Sequence, residues 1–185
     1  DDMGHRYGNS PEMDAAVQEA DRQLGEIWNA VRNREENHNE EFLLIVTTDH
    51  GRAVGGFHHG GQSDAEREIW IASNSKFNKR FDHNPAIVDV FPTVARYLGI
   101  PIPRDHAMEL DGVSLLGEVS AIDLSGKIEG GRLKINWKNL GEKQVGKAWI
   151  TFGNQFRYGN KDAYILLGEV NLEDESAEFD ISNHA

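Results

Sequence analysis

Five consecutive apolar residues, Phe42-Leu43-Leu44-Ile45-Val46, run directly into Thr47-Thr48-Asp49-His50-Gly51, and no other stretch constrains the fold as much. An uninterrupted apolar run of this length reads as a strand covered on both faces, the kind found in α/β layers rather than in one-sided antiparallel sheets. Polar side chains just past the carboxyl end of such a strand stand on a rigid support and face a common crevice. Asp49 and His50 occupy that end, and His58 and His59 follow at the close of a short glycine-rich excursion. At the start of the chain, Asp1 and His5 are spaced as D-x-x-G-H, and Gly4 would let the backbone turn tightly enough to aim both at one point. Two imidazoles and a carboxylate for one ion, with a carboxylate and an imidazole left for another, is the arithmetic of a two-metal site.

Composition narrows the classes. A chain of 185 residues holds one ordinary domain, or a partial domain and a small second one. Its 38% hydrophobic content is enough for a packed core. A net charge of −12 argues against a nucleic-acid polymer as partner, because that needs basic patches to displace counterions. It does not argue against a small anionic substrate, since bound divalent cations reverse the local field. The absence of cysteine removes disulfides and thiolate zinc sites. Apolar runs of about five residues fall far short of the roughly 20 that span a bilayer, so no membrane span is expected in this chain. The sequence opens inside what reads as a motif, which leads us to expect a missing N-terminal half of the same protein, and with it any targeting segment.

In chain order, Asp1 to Gly8 reads as a loop. Ser10-Pro11-Glu12 is a helix start, and Met13, Val17, Ala20, Leu24, Ile27, Trp28 and Val31 recur on one face, so a core-packing helix is expected over 11–34. Strands are expected over 42–48 and 68–72, with loops between and over 74–84. Asp89 should cap a helix that tolerates Pro92 in its first turn, buries Val90, Phe91, Val94, Ala95 and Leu98, and stops at Gly99. From Val119 the texture changes to alternating strands around Leu133 to Trp137, Ala148 to Phe152, Tyr164 to Val170 and Ala177 to Ile181, punctuated by Gly130-Gly131, Asn139 to Gly141 and Gly159-Asn160. Trp137, Trp149, Phe152 and Tyr164 can serve either as core or as a sugar-stacking platform, and strand alternation alone accounts for most of them.

Imidazole and carboxylate ligands at a strand end suit Zn²⁺, and Mn²⁺ less well, whereas an all-oxygen site would not use histidines. Two such ions about 4 Å apart stabilise the attacking and leaving oxygens of an in-line displacement. With Asp1-x-x-Gly4-His5, Thr48-Asp49-His50-Gly51, His59-Gly60-Gly61 and Val88-Asp89-Val90-Phe91-Pro92-Thr93 in this order, residues 1–117 resemble the alkaline phosphatase superfamily. The resemblance is to its type I phosphodiesterase/nucleotide pyrophosphatase branch, which merges into sulfatase-like enzymes.

That resemblance implies an α/β fold: residues 1–118 as the C-terminal part of an alkaline-phosphatase-like sandwich, a mixed sheet flanked by helices. Residues 119–185 look like a partial β-sandwich module of fibronectin or immunoglobulin type, as appended to secreted enzymes, and a periplasmic or secreted setting follows. It also implies two divalent metal ions, zinc above all: Asp1, His5 and His59 on one, Asp49 and His50 on the other. His58 competes with His59, and the family's His-Gly order favours His59. The family's Thr or Ser nucleophile would lie upstream of Asp1. Ser10, Thr47, Thr48 and Ser63 do not occupy its position, so no catalytic nucleophile is expected in this chain, and no turnover by the chain alone. The implied activity is that of a metal-dependent phosphoester hydrolase acting on a small anionic ester. A sulfatase-type hydrolase and a noncatalytic binding or spacer module are the alternatives, and metal content separates the second from the rest. Arg6 and Arg52 are open to substrate or surface roles. Glu66 and Arg67 could orient the ligands from behind or pair with each other, and the pairing is expected.

Overall fold

A computed structural model of the chain describes residues 1–141 and 145–184; residues 142–144 and 185 of the expected 119–185 module lie outside the described residues. Helix and sheet are mixed throughout, with small antiparallel sheets, in keeping with an α/β fold carrying a β unit. By compactness the chain divides into Asp1–Ser75 and the remainder from Lys76.

In the first unit the opening octapeptide is a helix, not the expected loop. In α1 (Asp2–Tyr7) the Asp1 carbonyl accepts the His5 N–H at 3.2 Å, and Gly8 leaves the turn at φ 60°. The physical reason is charge order: Asp2 sits in the first turn, His5 and Arg6 in the last, and Arg6 reaches back to Asp2 at 3.1 Å. The second helix begins where capping chemistry predicts. The Ser10 side chain accepts the Met13 N–H at 3.3 Å, Pro11 follows, and α2 continues over Pro11–His38, past the expected end at 34. Pairs such as Arg22 with Glu26 (2.5 Å) and Arg32 with Glu36 (2.8 Å) carry it outward, each contributing a few tenths of a kcal/mol.

The core role expected of this helix is not met: none of its residues is fully buried, and Val17 and Ile27 are 56% and 53% exposed. The strand that should cover it is short. Only β1 (Ile45–Thr47) is paired, antiparallel to β2 (Ile71–Ser73), and the whole apolar run is half-buried rather than enclosed. After α3 (Asp64–Arg67) the chain reaches β2 late, so Phe42 and Leu44 have no strand opposite them. Asn74 takes that place with its side chain, accepting the Leu44 N–H and donating to the Phe42 carbonyl, both at 2.8 Å.

The second unit is built on one buried polar node. The loop expected over 74–84 contains a 3₁₀ turn, Lys79–Asp82, and a second one, Ile87–Asp89, leads into α4 (Val90–Tyr97). Asp89 holds the N-cap position of α4 but does not cap it. Its Oδ2 accepts the upstream Ala86 N–H at 2.9 Å and its Oδ1 the distant Val113 N–H at 2.6 Å. Thr93 Oγ1 donates to the Asp89 carbonyl at 2.6 Å and accepts the Leu115 N–H at 2.8 Å. These bonds turn Pro92, Thr93 and Ala95 inward, whereas Phe91 and Leu98, expected inside, are more than half exposed. Gly99 ends the helix at φ 65°.

Past α5 (Arg104–Ala107), β3 (Ala121–Glu129), β4 (Arg132–Asn139), β5 (Val145–Ile150), β6 (Ile165–Asn171) and β7 (Ser176–Asp180) form two antiparallel sheets, ordered β3-β4-β7 and β5-β6. Gly130 and Gly131, at φ 56° and 78°, make the tight β3-β4 turn that needs two left-handed residues. Ile122, Leu133, Trp137, Ala148, Leu172 and Ile181 are buried, and the Trp137 indole donates to the Leu172 carbonyl at 2.9 Å. Strand structure thus starts close to the texture change at Val119, while compactness breaks the chain earlier, after Ser75. The reason is side-chain ties from 76–118 into the β region, among them the Tyr164 hydroxyl on Glu109 at 2.5 Å.

Candidate metal centre

A helical turn places residues four apart on one face, so the unexpected α1 is what brings Asp1 and His5 together. The glycine-rich segment after His50 supplies the third group. The Ala53 N–H donates to the His58 carbonyl at 2.9 Å and its own carbonyl accepts from Gly55 and Gly56, which closes the turn and returns His59 to the start of the chain. Asp1 Oδ2 then lies 3.2 Å from His5 Nε2 and 3.5 Å from His59 Nε2, and the two Nε2 atoms are 3.0 Å apart. A ligand atom from each of Asp1, His5 and His59 lies within 4.8 Å of the others.

Protonation follows from the neighbours. His5 Nδ1 is 2.8 Å from the Phe57 carbonyl, and His50 Nδ1 is 2.8 Å from the Gly51 carbonyl. A carbonyl can only accept, so each Nδ1 carries a proton and each Nε2 is the ring nitrogen left for a metal to take. Burial, with His50, His5 and Arg52 close by, lowers the pKa of His59 below the ordinary imidazole value, which favours its neutral, ligating form.

Asp49 and His50 border this group. The His50 ring stacks on His59 with centroids 3.8 Å apart, and its Nε2 is 3.5 Å from Asp49 Oδ2. Gly51 lets the strand end approach α3: its N–H donates to the Glu66 carbonyl at 2.8 Å, and a Cβ would stand 2.0 Å from the Ala65 carbonyl oxygen. The backbone thus requires glycine after Asp49-His50. His58 points elsewhere, exposed beside Phe57, so the structure turns His59 and not His58 towards Asp1 and His5.

Several side chains depart from expectation. Glu66 and Arg67 do not pair; Glu66 accepts from the Gly61 N–H at 2.9 Å and the Ser63 hydroxyl at 2.5 Å, while Arg67 bonds Asp64 at 3.1 Å. Those bonds hold the Glu66 carboxyl below the usual carboxylate range and brace the Gly60-Gly61 turn after His59. Arg6 is taken by Asp2, and Arg52 by Asp1. Hydroxyls are engaged as well: Ser10 caps α2, Thr47 donates to the Thr48 carbonyl at 3.0 Å, and Ser63 bonds Glu66. The helical form of residues 2–7 was the missed signal, and the i,i+4 pairs Asp1–His5 and Asp2–Arg6 are what could have revealed it.

Residues 1–60 match the family model of type I phosphodiesterase / nucleotide pyrophosphatase. The chain is 33% identical over 122 residues to GPI ethanolamine phosphate transferase 2 of Schizosaccharomyces pombe, covering 57% of this chain and 16% of that protein. It is 30% identical over 116 residues to the catalytic subunit of human GPI ethanolamine phosphate transferase 2 (60% and 12%). It is 31% identical over 97 residues to a 2,3-bisphosphoglycerate-independent phosphoglycerate mutase of Onchocerca volvulus (49% and 18%). The chain spans less than a fifth of the length of these relatives. No solved structure matches it.

Proposed function

We propose, from the premise that the chain belongs to the alkaline phosphatase superfamily through its type I phosphodiesterase/nucleotide pyrophosphatase branch, that Asp1, His5 and His59 hold one divalent cation and Asp49 and His50 a second. The superfamily is one of divalent-metal enzymes acting on phosphoesters. Three imidazoles and two carboxylates, with no thiolate, suit zinc. Cations bound there would neutralise charge on a transferring phosphoryl group and acidify the attacking oxygen.

The single observation that carries this reading is the pair of carbonyl-locked histidines. The Phe57 and Gly51 carbonyls take the Nδ1 protons of His5 and His50, which leaves Nε2 as the ring nitrogen each turns towards the group. Asp1 supplies the neighbouring carboxylate, and Asp49, at the open side of the group, supplies the other. The substrate class is a small anionic phosphoester, and bound cations would supply the local positive field that a chain of net charge −12 otherwise lacks. Hydrolysis is the reaction the sequence suggests. A second reading is favoured by the relatives, several of which are ethanolamine phosphate transferases: the same chemistry with an alcohol in place of water as acceptor.

Calorimetric titration of the chelator-stripped 185-residue chain with zinc tests the assignment. His5→Ala and His59→Ala should each weaken uptake by more than the roughly tenfold to hundredfold that loss of an outer-sphere partner costs. Glu36→Ala, which breaks only a pair on α2, should leave it unchanged. Equal losses in all three would overturn the ligand set, and a wild-type chain that takes up no zinc would point to a noncatalytic binding or spacer module.

A further inference from the structure

Arg52 has the most constrained surroundings of any cation near the candidate centre. Its Nη2 donates to Asp1 Oδ1 and, at 2.9 Å, to the Asp1 carbonyl; its Nη1 donates to the Gly56 carbonyl at 3.0 Å. Its side chain is only 19% exposed. The guanidinium therefore ties both the backbone and the side chain of Asp1 to the turn that carries His59. The space it fills exists because residue 4 is glycine. A Cβ on Gly4 would stand 2.3 to 2.6 Å from the guanidinium carbon and both its terminal nitrogens.

The division of labour on Asp1 is the telling feature. Oδ1 faces the guanidinium, and Oδ2 faces His5 Nε2 at 3.2 Å and His59 Nε2 at 3.5 Å. A free carboxylate rotates and can chelate through both oxygens. A carboxylate with one oxygen held by a permanently charged guanidinium, itself anchored on the Asp1 and Gly56 carbonyls, offers the other. We propose that Arg52 is a positioning residue that fixes Asp1 as a one-oxygen metal ligand, with Gly4 providing the room for it. This rests on the reading of Asp1, His5 and His59 as a metal site, and it gives Arg52 a task different from meeting a substrate anion. A guanidinium with three protein acceptors already in place has little left to offer an incoming phosphate.

The probe is the metal alone, added to the chelator-stripped 185-residue chain. Arg52→Gln should weaken zinc binding roughly tenfold to a hundredfold, the usual effect of losing an outer-sphere partner. Arg52→Lys, which keeps the charge but not the fork, should recover only part of that loss, and Gly4→Ala should mimic Arg52→Gln by displacing the same group. A role in folding alone would lower affinity whatever stands at position 1. The proposal instead requires that Arg52→Gln adds nothing once Asp1→Asn has been made. Cobalt(II) gives an independent readout: its visible absorption should change intensity in Arg52→Gln, where Asp1 is free to chelate, and stay closer to wild type in Arg52→Lys. Unfolding of Arg52→Gln would pass the test to Arg52→Lys and Gly4→Ala, whose unaltered affinity would then refute the idea. Wild-type binding with unchanged affinity in the Arg52 variants overturns this inference and leaves the site standing. Zinc binding unchanged but inorganic phosphate binding to the zinc-loaded chain lost would assign Arg52 to substrate instead. No zinc uptake by wild type removes the site itself, and the inference with it.

Discussion

Asp89 and Asp1 are both aspartates in motif-like strings, yet the two units of this chain use them in opposite ways. Asp89 is fully buried and its oxygens are engaged by fixed donors: the N–H groups of Ala86 and Val113, and Arg80 at 3.1 Å. Its charge is consumed in closing one stretch of backbone on another. Asp1 is half exposed, has one oxygen held by Arg52, and turns the other towards imidazole nitrogens rather than towards a saturating set of N–H groups. A carboxylate surrounded by donors belongs to the architecture. One turned towards imidazole nitrogens is the carboxylate that the proposed reading gives to a cation.

The largest expected effect breaks the buried end of this contrast. Asp89→Ala leaves Arg80 buried and unpaired and strips the Val113 and Ala86 N–H groups of their acceptor, so it should cost about 3–5 kcal/mol in urea denaturation followed by tryptophan fluorescence. Zinc affinity of the still-folded chain should not move. A loss under about 1 kcal/mol, the scale of an exposed pair, would mean that burial does not separate the two aspartates as argued. A smaller effect is expected at Trp137, whose indole N–H is the donor to the buried Leu172 carbonyl. Trp137→Phe keeps most of the apolar surface but leaves that carbonyl unsatisfied, at about 1–3 kcal/mol by the same measurement. Phe152→Ala, at a half-exposed aromatic of the same region, should cost clearly less.

How much of this was legible beforehand depended on whether the signal was local. Ser10-Pro11 gave the start of α2 because a cap acts within three residues, and Gly99 gave the end of α4 for the same reason. The five side chains proposed as ligands stood out by residue type and spacing. The shortness of β1 could not be read, since it depends on Asn74, 30 residues away, substituting for a strand. Asp89 looked like a simple cap because its acceptor role towards Val113 spans 24 residues. Arg52 was ambiguous for the same reason: only folding reveals that Gly4 opens a slot for it. The exposed faces of Phe91 and Leu98 show the converse error, in which periodicity identified an apolar stripe but not which side the polar node at Thr93 would draw inward.

The smallest effect concerns Tyr164, an uncharged group on the structural side of the contrast. Its hydroxyl lies 2.5 Å from Glu109 and 3.1 Å from the Met108 carbonyl, two acceptors that favour the protonated phenol. Burial first, then the hydrogen bond to Glu109 and the negative charges of Glu109 and Asp162, push its pKa from 10.0 up to about 12. The folded state then keeps its proton where the unfolded chain has lost it. The stability this group contributes is complete below pH 10 and is lost as pH rises from 10 towards about 12. Denaturation midpoints measured across that interval should fall for the wild-type chain and fall less steeply for Tyr164→Phe, which has no proton to lose. Tyrosinate absorbance should show one wild-type phase near 12 that the variant lacks. Identical slopes in the two chains would show that Tyr164 ionises as freely as an exposed phenol. Proximity to a carboxylate would then not be enough to mark a group as part of the architecture, and the criterion that separates Asp89 from Asp1 would have to rest on burial alone.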